Sequence, residues 1–399
     1  MKKKSIKKLL AFELIILIGI LVGVGVREVT HGIDLNGDSE TYVNLGEKFD
    51  DPGVKSFFAK RTGDVDTGKV GDYQIKYTLF GKTAVRNVHV VDPDELVIGL
   101  KGSEEQIVLL GEKYIEGGAF AIDKKTGPLK KVNIKGNVNT DKEGEYKVTY
   151  SAESRNIKKS ITRKVKVLSK SDYGNPANEI PVTMYHWIYN SEDKPSNIDG
   201  NWILDKDLEK HLQYLDEQNY YYPSWSELSA WIDGKVSLPE KSIIMTFDDG
   251  KKAFFENGLP LFEKYKVPIT SFMIGWEKND GAYKVRKWAS PYIDFESHSY
   301  AMHQQGNVSG HRGIMAQMSE KEIIEDLQKE QEVIQNNEAF AYPYGDYTDT
   351  AKKAIKKHGI DCAFTTEYGK VKRGMDKMQL PRVRVMGYIK FDYWKSVIN

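Results

Sequence analysis

Two carboxylates stand side by side in Thr246-Phe247-Asp248-Asp249-Gly250, at the end of an apolar run that begins at Ser242. Adjacent like charges repel, so one of them needs a compensating cation. A metal ion would neutralise one and leave the other free as a base. A structural reading is open as well, because Asp-Asp-Gly also makes a turn that caps a following helix. Further on, Glu296-Ser297-His298-Ser299-Tyr300-Ala301-Met302-His303 sets two imidazoles five residues apart. Neutral imidazole is the commonest nitrogen ligand for zinc, and one carboxylate with two histidines leaves positions open for water and substrate. That spacing is not one face of a regular helix, so a loop or irregular turn is expected there.

The elements around these residues alternate. Ile180 to Tyr185 reads as a strand, and Leu204 to Tyr220 as an amphipathic helix with Leu208, Leu212 and Leu215 on one face. Ser224-Trp225-Ser226-Glu227 is a capping box opening a second helix. Strands at Ser242–Phe247, Ile269–Ile274 and Ala339–Tyr342 are interleaved with helical stretches at Phe254–Tyr265 and Ser319–Ile334. This grammar fits an α/β barrel of parallel strands with its site at the strand ends.

The N-terminal half has a different character. Leu45-Gly46-Glu47-Lys48-Phe49 returns as Leu110-Gly111-Glu112-Lys113-Tyr114, and Gly71-Asp72-Tyr73-Gln74-Ile75-Lys76-Tyr77 returns as Gly144-Glu145-Tyr146-Lys147-Val148-Thr149-Tyr150. Short alternating strands with Gly and Asp turns predict two β-sandwiches, at 27–93 and 94–168. They resemble bacterial immunoglobulin-like modules, although Asp51-Pro52-Gly53 of the first becomes Glu116-Gly117-Gly118 in the second. With no obvious cluster of titratable groups, they read as a spacer. The polar stretch 169–179 reads as a linker. Lysines within residues 1–8 precede an apolar run at 9–26 broken only by Glu13. About 18 residues at roughly 1.5 Å each give about 27 Å, which predicts an uncleaved transmembrane anchor. The N-terminus is then cytoplasmic and the rest of the chain extracellular.

Taken in order, Thr246 to Gly250, His298-Ser299 with His303, and Tyr342-Pro343-Tyr344-Gly345 resemble three consecutive motifs of the polysaccharide deacetylase family. The resemblance covers 180–399 and implies a distorted (β/α)7 barrel that removes N-acetyl groups from N-acetylglucosamine in a wall or surface polysaccharide. The five-residue histidine spacing is nearest to poly-N-acetylglucosamine deacetylases and streptococcal enzymes acting on the peptidoglycan–polysaccharide linkage. Carried over, Asp248 is the general base, and Asp249, His298 and His303 hold one divalent ion, zinc by preference. The Tyr344 backbone N–H helps hold the oxyanion, with Pro343 beside it.

Two departures stand out. Ala341 occupies the place of an arginine that normally orients the base, which leaves Arg382 or Arg384 to come from another strand end; Arg384 is also expected near substrate. No histidine follows His358, where the family's usual acid lies, so His186, at the end of the first barrel strand, is the expected proton donor. Trp276 and Trp288 are expected in a subsite wall, His311 is a weaker candidate for touching substrate, and His211 and His358 should face solvent.

A formal net charge of +1 gives no reason to expect nucleic acid as a partner. The lone Cys362 excludes an intramolecular disulfide. Two rival functions remain: an inactive polysaccharide-binding surface protein, and an amidase for another amide. The complete Asp248, Asp249, His298, His303 set argues against the first.

Overall fold

The computed structural model describes residues 32–399. They form two compact units, one running to Glu95 and including Glu153–Lys158, the other comprising Leu96–Ala152 and Lys159–Asn399.

The first unit carries a four-stranded sheet of Glu40–Asn44, Lys60–Thr62, Gly71–Leu79 and Lys82–Val91, in the order first, fourth, third, second. Val43, Ile75, Tyr77 and Val88 form its core. Asp51 accepts the Tyr77 hydroxyl (2.5 and 2.6 Å) and Arg61 Nε (2.8 Å). The buried Arg86 donates to the carbonyls of Asp38, Asn36 and Gly53. The second module repeats this knot, with Glu116 accepting the hydroxyls of Tyr114 and Tyr150 and Arg163 donating to the carbonyls of Lys101 and Gly118. Among the described residues the first module has one sheet where a two-sheet sandwich was expected, and so small a β domain buries few polar groups, which need partners. The repeat therefore keeps carboxylate, tyrosine and arginine while its turn sequence changes.

In the second module, Leu96–Leu100, Ala119–Asp123 and Gly127–Pro128 form one sheet; Glu105–Leu109, Ile157–Leu168, Gly144–Ser154 and Asn133–Gly136 form the other. The stretch expected to be a linker contains a helix, Lys170–Tyr173, with Tyr173 buried.

The expected transmembrane anchor does not stand. Among the described residues no helix is long and apolar enough to cross a membrane, and the run at 9–26 lies outside them. The apolar stretches that are described are short because they are core strands and one-sided helices.

The barrel closes through seven parallel strands: β1 (Val182–Tyr185), β2 (Ile244–Asp249), β3 (Ile269–Met273), β4 (Ile293–Ser297), β5 (Ala339–Ala341), β6 (Cys362–Tyr368) and β7 (Leu380–Arg384), which pairs back to β1. The first five are almost wholly buried, since helices cover the outside of a parallel barrel. Around them lie α1 (Asp205–Glu217), α2 (Trp225–Ile232), α3 (Lys252–Tyr265), α4 (Gly281–Lys287), α5 (Glu320–Ile334), α6 (Asp349–His358) and α7 (Phe391–Ile398). The capping box of Ser224 and Glu227 opens α2, and an equivalent pair, Ser319 and Glu322, opens α5.

Two expected surface histidines are not where their charged helices suggested. His211 is buried and stacks flat on Trp394 at 3.9 Å, with the Tyr185 hydroxyl 3.1 Å from its Nδ1. His358 is half-buried, its Nε2 without a partner. Each faces inward because helical amphipathicity averages over a face and does not forbid an amphipathic imidazole at its edge.

Below the site, β4 places Asp294 and Glu296 beside Glu338, and Asn336 bonds to both β4 carboxylates (3.1 and 2.7 Å). These three acids could hold a cation, and the second module supplies one: Lys101 Nζ lies 2.6 Å from Glu338 and 2.8 Å from the Asn336 carbonyl oxygen.

Candidate active site

β2 delivers both aspartates to the C-terminal rim. Asp248 is 3% exposed and Arg382 is fully buried. They meet in a two-pronged ion pair, with Arg382 Nη1 and Nη2 each 2.7 Å from a carboxylate oxygen. Arg382 is itself held by the Thr365 carbonyl and Thr246 Oγ1, both at 3.2 Å. Burial pushes the Asp248 carboxyl upward, but the charge and hydrogen bonds of Arg382 outweigh it and hold the group well below the usual carboxylate range. Arg382 therefore fills the place left by Ala341. Arg384, two residues nearer the rim, instead donates to Asn201 Oδ1 at 2.9 Å.

Asp249 sits one residue on at φ +75°, followed by Gly250 at +59°. Two successive left-handed residues end the strand abruptly, and a Cβ on Gly250 would lie 2.1 Å from Met273 Sδ. The turn aims Asp249 Oδ1 at both histidines, 3.6 Å from His298 Nε2 and 3.6 Å from His303 Nε2. Its other oxygen accepts Trp187 Nε1 at 3.0 Å. His298 lies just past the end of β4, and its Nδ1 is 2.6 Å from the Ala341 carbonyl, which directs Nε2 at Asp249. The five-residue interval is an irregular turn, as expected. Ser299 takes φ +74°, and Asp326 accepts the N–H groups of Tyr300 (2.8 Å) and Ala301 (2.9 Å). His303 then packs against the Tyr344 ring at 4.4 Å. Its burial, and the neighbouring His298, lower its pKa and keep it neutral.

These three groups suit a divalent ion. Ligand atoms each about 2.1 Å from a tetrahedral centre stand about 3.4 Å apart. The two 3.6 Å separations here are close to that, and the donor set is two nitrogens and one oxygen.

His186 follows β1. The pairing of Tyr185 with Phe247 brings it level with Asp248. Burial lowers its pKa, and Asp248 and Asp249 partly oppose this. Tyr344 is held at φ +61° after Pro343, and Gly345 packs against Thr366, where a Cβ would lie 2.1 Å from the Thr366 hydroxyl. Trp288, expected in a subsite wall, instead stacks on Phe255 of the core at 5.7 Å.

Three features were not anticipated. Trp187, the residue after His186, is the hydrogen-bond donor to Asp249. Lys251 Nζ lies 3.1 Å from the centroid of that indole. Asp346, directly after the Tyr342–Gly345 motif, bonds His311 Nδ1 at 2.5 Å and accepts the N–H groups of Arg312 (2.7 Å) and Gly313 (2.9 Å). An acid next to a motif was the only available hint.

The polysaccharide deacetylase family profile matches residues 235–363, and the profile of a bacterial surface protein Ig-like domain matches 33–90 and 98–167. His186 and Arg382 both lie outside the first match. A poly-beta-1,6-N-acetyl-D-glucosamine N-deacetylase of Staphylococcus epidermidis is 26% identical over 203 residues, 46% of this chain and 68% of its own. Its Staphylococcus aureus (strain MRSA252) counterpart is 28% identical, over 46% and 67%. Among solved structures, the Streptococcus pyogenes deacetylase PplD in complex with acetate aligns with TM-score 0.49 at 19% identity, over 56% of this chain and 100% of that one. The segment 235–363 thus matches the polysaccharide deacetylases, hydrolases acting on carbon–nitrogen bonds, and segments matching bacterial-surface immunoglobulin-like domains precede it.

Proposed function

We propose that the protein removes acetyl groups from N-acetylglucosamine residues of a cell-wall or surface polysaccharide, outside the cell, with a divalent ion, zinc first, held by Asp249, His298 and His303. The observation that carries this is the pairing of an ionised, arginine-clamped Asp248 with the adjacent Asp-His-His set. The surface-type modules and the substrates named for the staphylococcal relatives support the setting and the glycan.

When bound, the ion supplies Lewis acidity toward the acetamide carbonyl and the attacking water. Asp248 takes a proton as water oxygen adds to the carbonyl carbon. The backbone N–H of Tyr344 faces the developing oxyanion, a role in which one donor is typically worth about 100- to 1,000-fold. The carbon–nitrogen bond then breaks, His186 delivers a proton to the departing amine, and the products are acetate and a free glucosamine.

Acetate release from N-acetylglucosamine polymer tests the proposal. It should vanish with chelator, and in Asp248→Asn it should fall about 100- to 10,000-fold. His186→Ala should lower turnover while leaving the metal bound. Release that persists in Asp248→Asn sinks the base assignment, and unchanged turnover in His186→Ala sinks the acid.

Trp187 gives a separate readout. Trp187→Phe keeps an aromatic ring, though a smaller one, and deletes the N–H that fixes Asp249. Zinc affinity, measured by competition with a chromogenic chelator, should weaken about 10- to 100-fold. Wild-type affinity would show that Asp249 needs no such partner.

A further inference from the structure

Two lysines stand at the catalytic rim without a carboxylate bonded to them. Lys251 follows Asp249 and Gly250 in the chain. Its Nζ lies 3.1 Å from the centroid of the Trp187 indole and 5.9 Å from that of Trp202. The same indole donates to Asp249 Oδ2, so one ring joins this ammonium to the Asp-His-His set. Lys284 approaches from α4. The loop before that helix is pinched shut, because a Cβ on Gly281 would lie 2.4 Å from the Gly275 carbonyl oxygen. Gly275 comes two residues after Met273, which pairs in register with Asp249. α4 therefore starts beside the rim, with Lys284 as its fourth residue.

The acids around these lysines leave them uncompensated. Lys252, next in the chain, pairs with Glu256 at 2.8 Å. Among the described residues Lys251 and Lys284 have no such bond: Asp249 and Asp199 act on the first, and Asp280 and Asp249 on the second, only through space. Asp249 is committed elsewhere, its Oδ1 turned to the two histidines and its Oδ2 to Trp187. Burial lowers the pKa of both lysines, and the charge of Lys251 adds to the effect on Lys284. Ammonium groups held near each other at such a cost are stabilised by an incoming anion. Lys251 is also the N-cap of α3 and makes no side-chain capping bond, so the free N–H groups of this 14-residue helix add to the positive potential. Arg384, whose charge reaches His186, donates to the neutral Asn201.

We propose that Lys251 and Lys284 form a subsite for an oxyanion, a carboxylate or a phosphate ester, borne by the sugar adjoining the acetamido sugar at the Asp249, His298, His303 site. The preferred substrate is then an acidic glycan, not a neutral N-acetylglucosamine polymer. The inference rests on the deacetylase reading and adds the charge of the substrate. An anion fixed on a non-reacting sugar holds the acetamide in register with Asp248, which raises kcat/KM.

The test compares acetate release from three glycans of equal length at low salt. One is a neutral N-acetylglucosamine oligomer, one alternates with N-acetylmuramic acid, whose lactyl group supplies a carboxylate, and one carries a phosphodiester on the adjoining sugar. Wild type should favour a charged glycan by roughly 10- to 100-fold in kcat/KM, and added salt should shrink the preference. Whichever charged glycan is favoured identifies the anion. Lys284→Gln should remove most of the preference, and Lys284→Arg, which keeps the charge, should retain it. Wild-type rates no higher on either charged glycan, or a preference that survives Lys251→Gln/Lys284→Gln, overturns the subsite. Equal loss in Lys284→Gln and Lys284→Arg means that the side chain acts through packing and overturns it too. No acetate from any of the three counts against the deacetylase reading instead, and calorimetry then decides the subsite. Tighter binding of a charged glycan that weakens in Lys284→Gln supports it, and equal binding of all three overturns it.

Discussion

Replacing Arg382 with methionine should destabilise the protein by about 3–5 kcal/mol at neutral pH and reduce acetate release at least about 100-fold. Both effects have one cause. Asp248 is 3% exposed and both its oxygens are taken by Arg382. Without the guanidinium, a buried carboxylate has lost its countercharge, and burial alone then sets its pKa, which moves up. The sign of the pH dependence follows. In the wild type the depressed pKa contributes stability above the unfolded value near pH 4, and that contribution is lost as pH falls through the folded value. In the variant the folded pKa is raised, so stability is lost as pH rises above about 4. The gap in melting temperature between the two should therefore be widest at neutrality and narrow progressively as pH falls below about 4. Asp248→Asn/Arg382→Met should recover much of the stability but none of the activity. A single variant as stable and active as wild type, or a double variant no more stable than the single, would falsify this account.

Lys101→Met should act at a distance from the chemistry. The Lys101 side chain is 11% exposed and lies against Glu338, with Asp294 and Glu296 close by. Burial tends to lower its pKa, but the three acids outweigh it and raise it, so it stays charged throughout the working range. Burial pushes Asp294 and Glu296 up, Lys101 pulls both down, and both remain above the usual carboxylate range. Carboxylates with raised folded pKa values favour folding most below about pH 4, and the benefit declines as pH rises. Removing Lys101 steepens that decline. The expected loss is about 3 kcal/mol at pH 8 and much less at pH 5, read from thermal melts of the intact protein. An equal loss at both pH values would mean that Lys101 acts through packing alone. Acid rescue would show that a residue of the second module neutralises the base of the barrel, which a mere spacer would not do.

Much of this architecture was legible in the residues. Apolar runs alternating with amphipathic helices announced the barrel, because a parallel strand buried on both faces needs apolar residues throughout. The capping box at Ser224 and Glu227 is a local interaction and was correctly placed. Asp248, Asp249, His298 and His303 come together because strand ends put neighbouring residues at one rim whatever the details of packing. The membrane anchor was read from an apolar run and a basic flank at 9–26, but among the described residues no helix is able to span a bilayer.

Tertiary structure alone decided the partners. Arg382 and Arg384 share one face of β7, and only closure of β7 against β1 put Arg382 at the depth of Asp248 and Arg384 near Asn201. Trp187 reached Asp249 because β1 and β2 pair in parallel, although 62 residues separate the two. His211 turned inward because Trp394, from the last helix, supplied a face to stack on. Lys101 and Glu338 are 237 residues apart and meet only when the module packs on the barrel. Periodicity and motifs act over a few residues and are written in order along the chain. Charge compensation acts through space, and its partners are chosen only when the barrel closes.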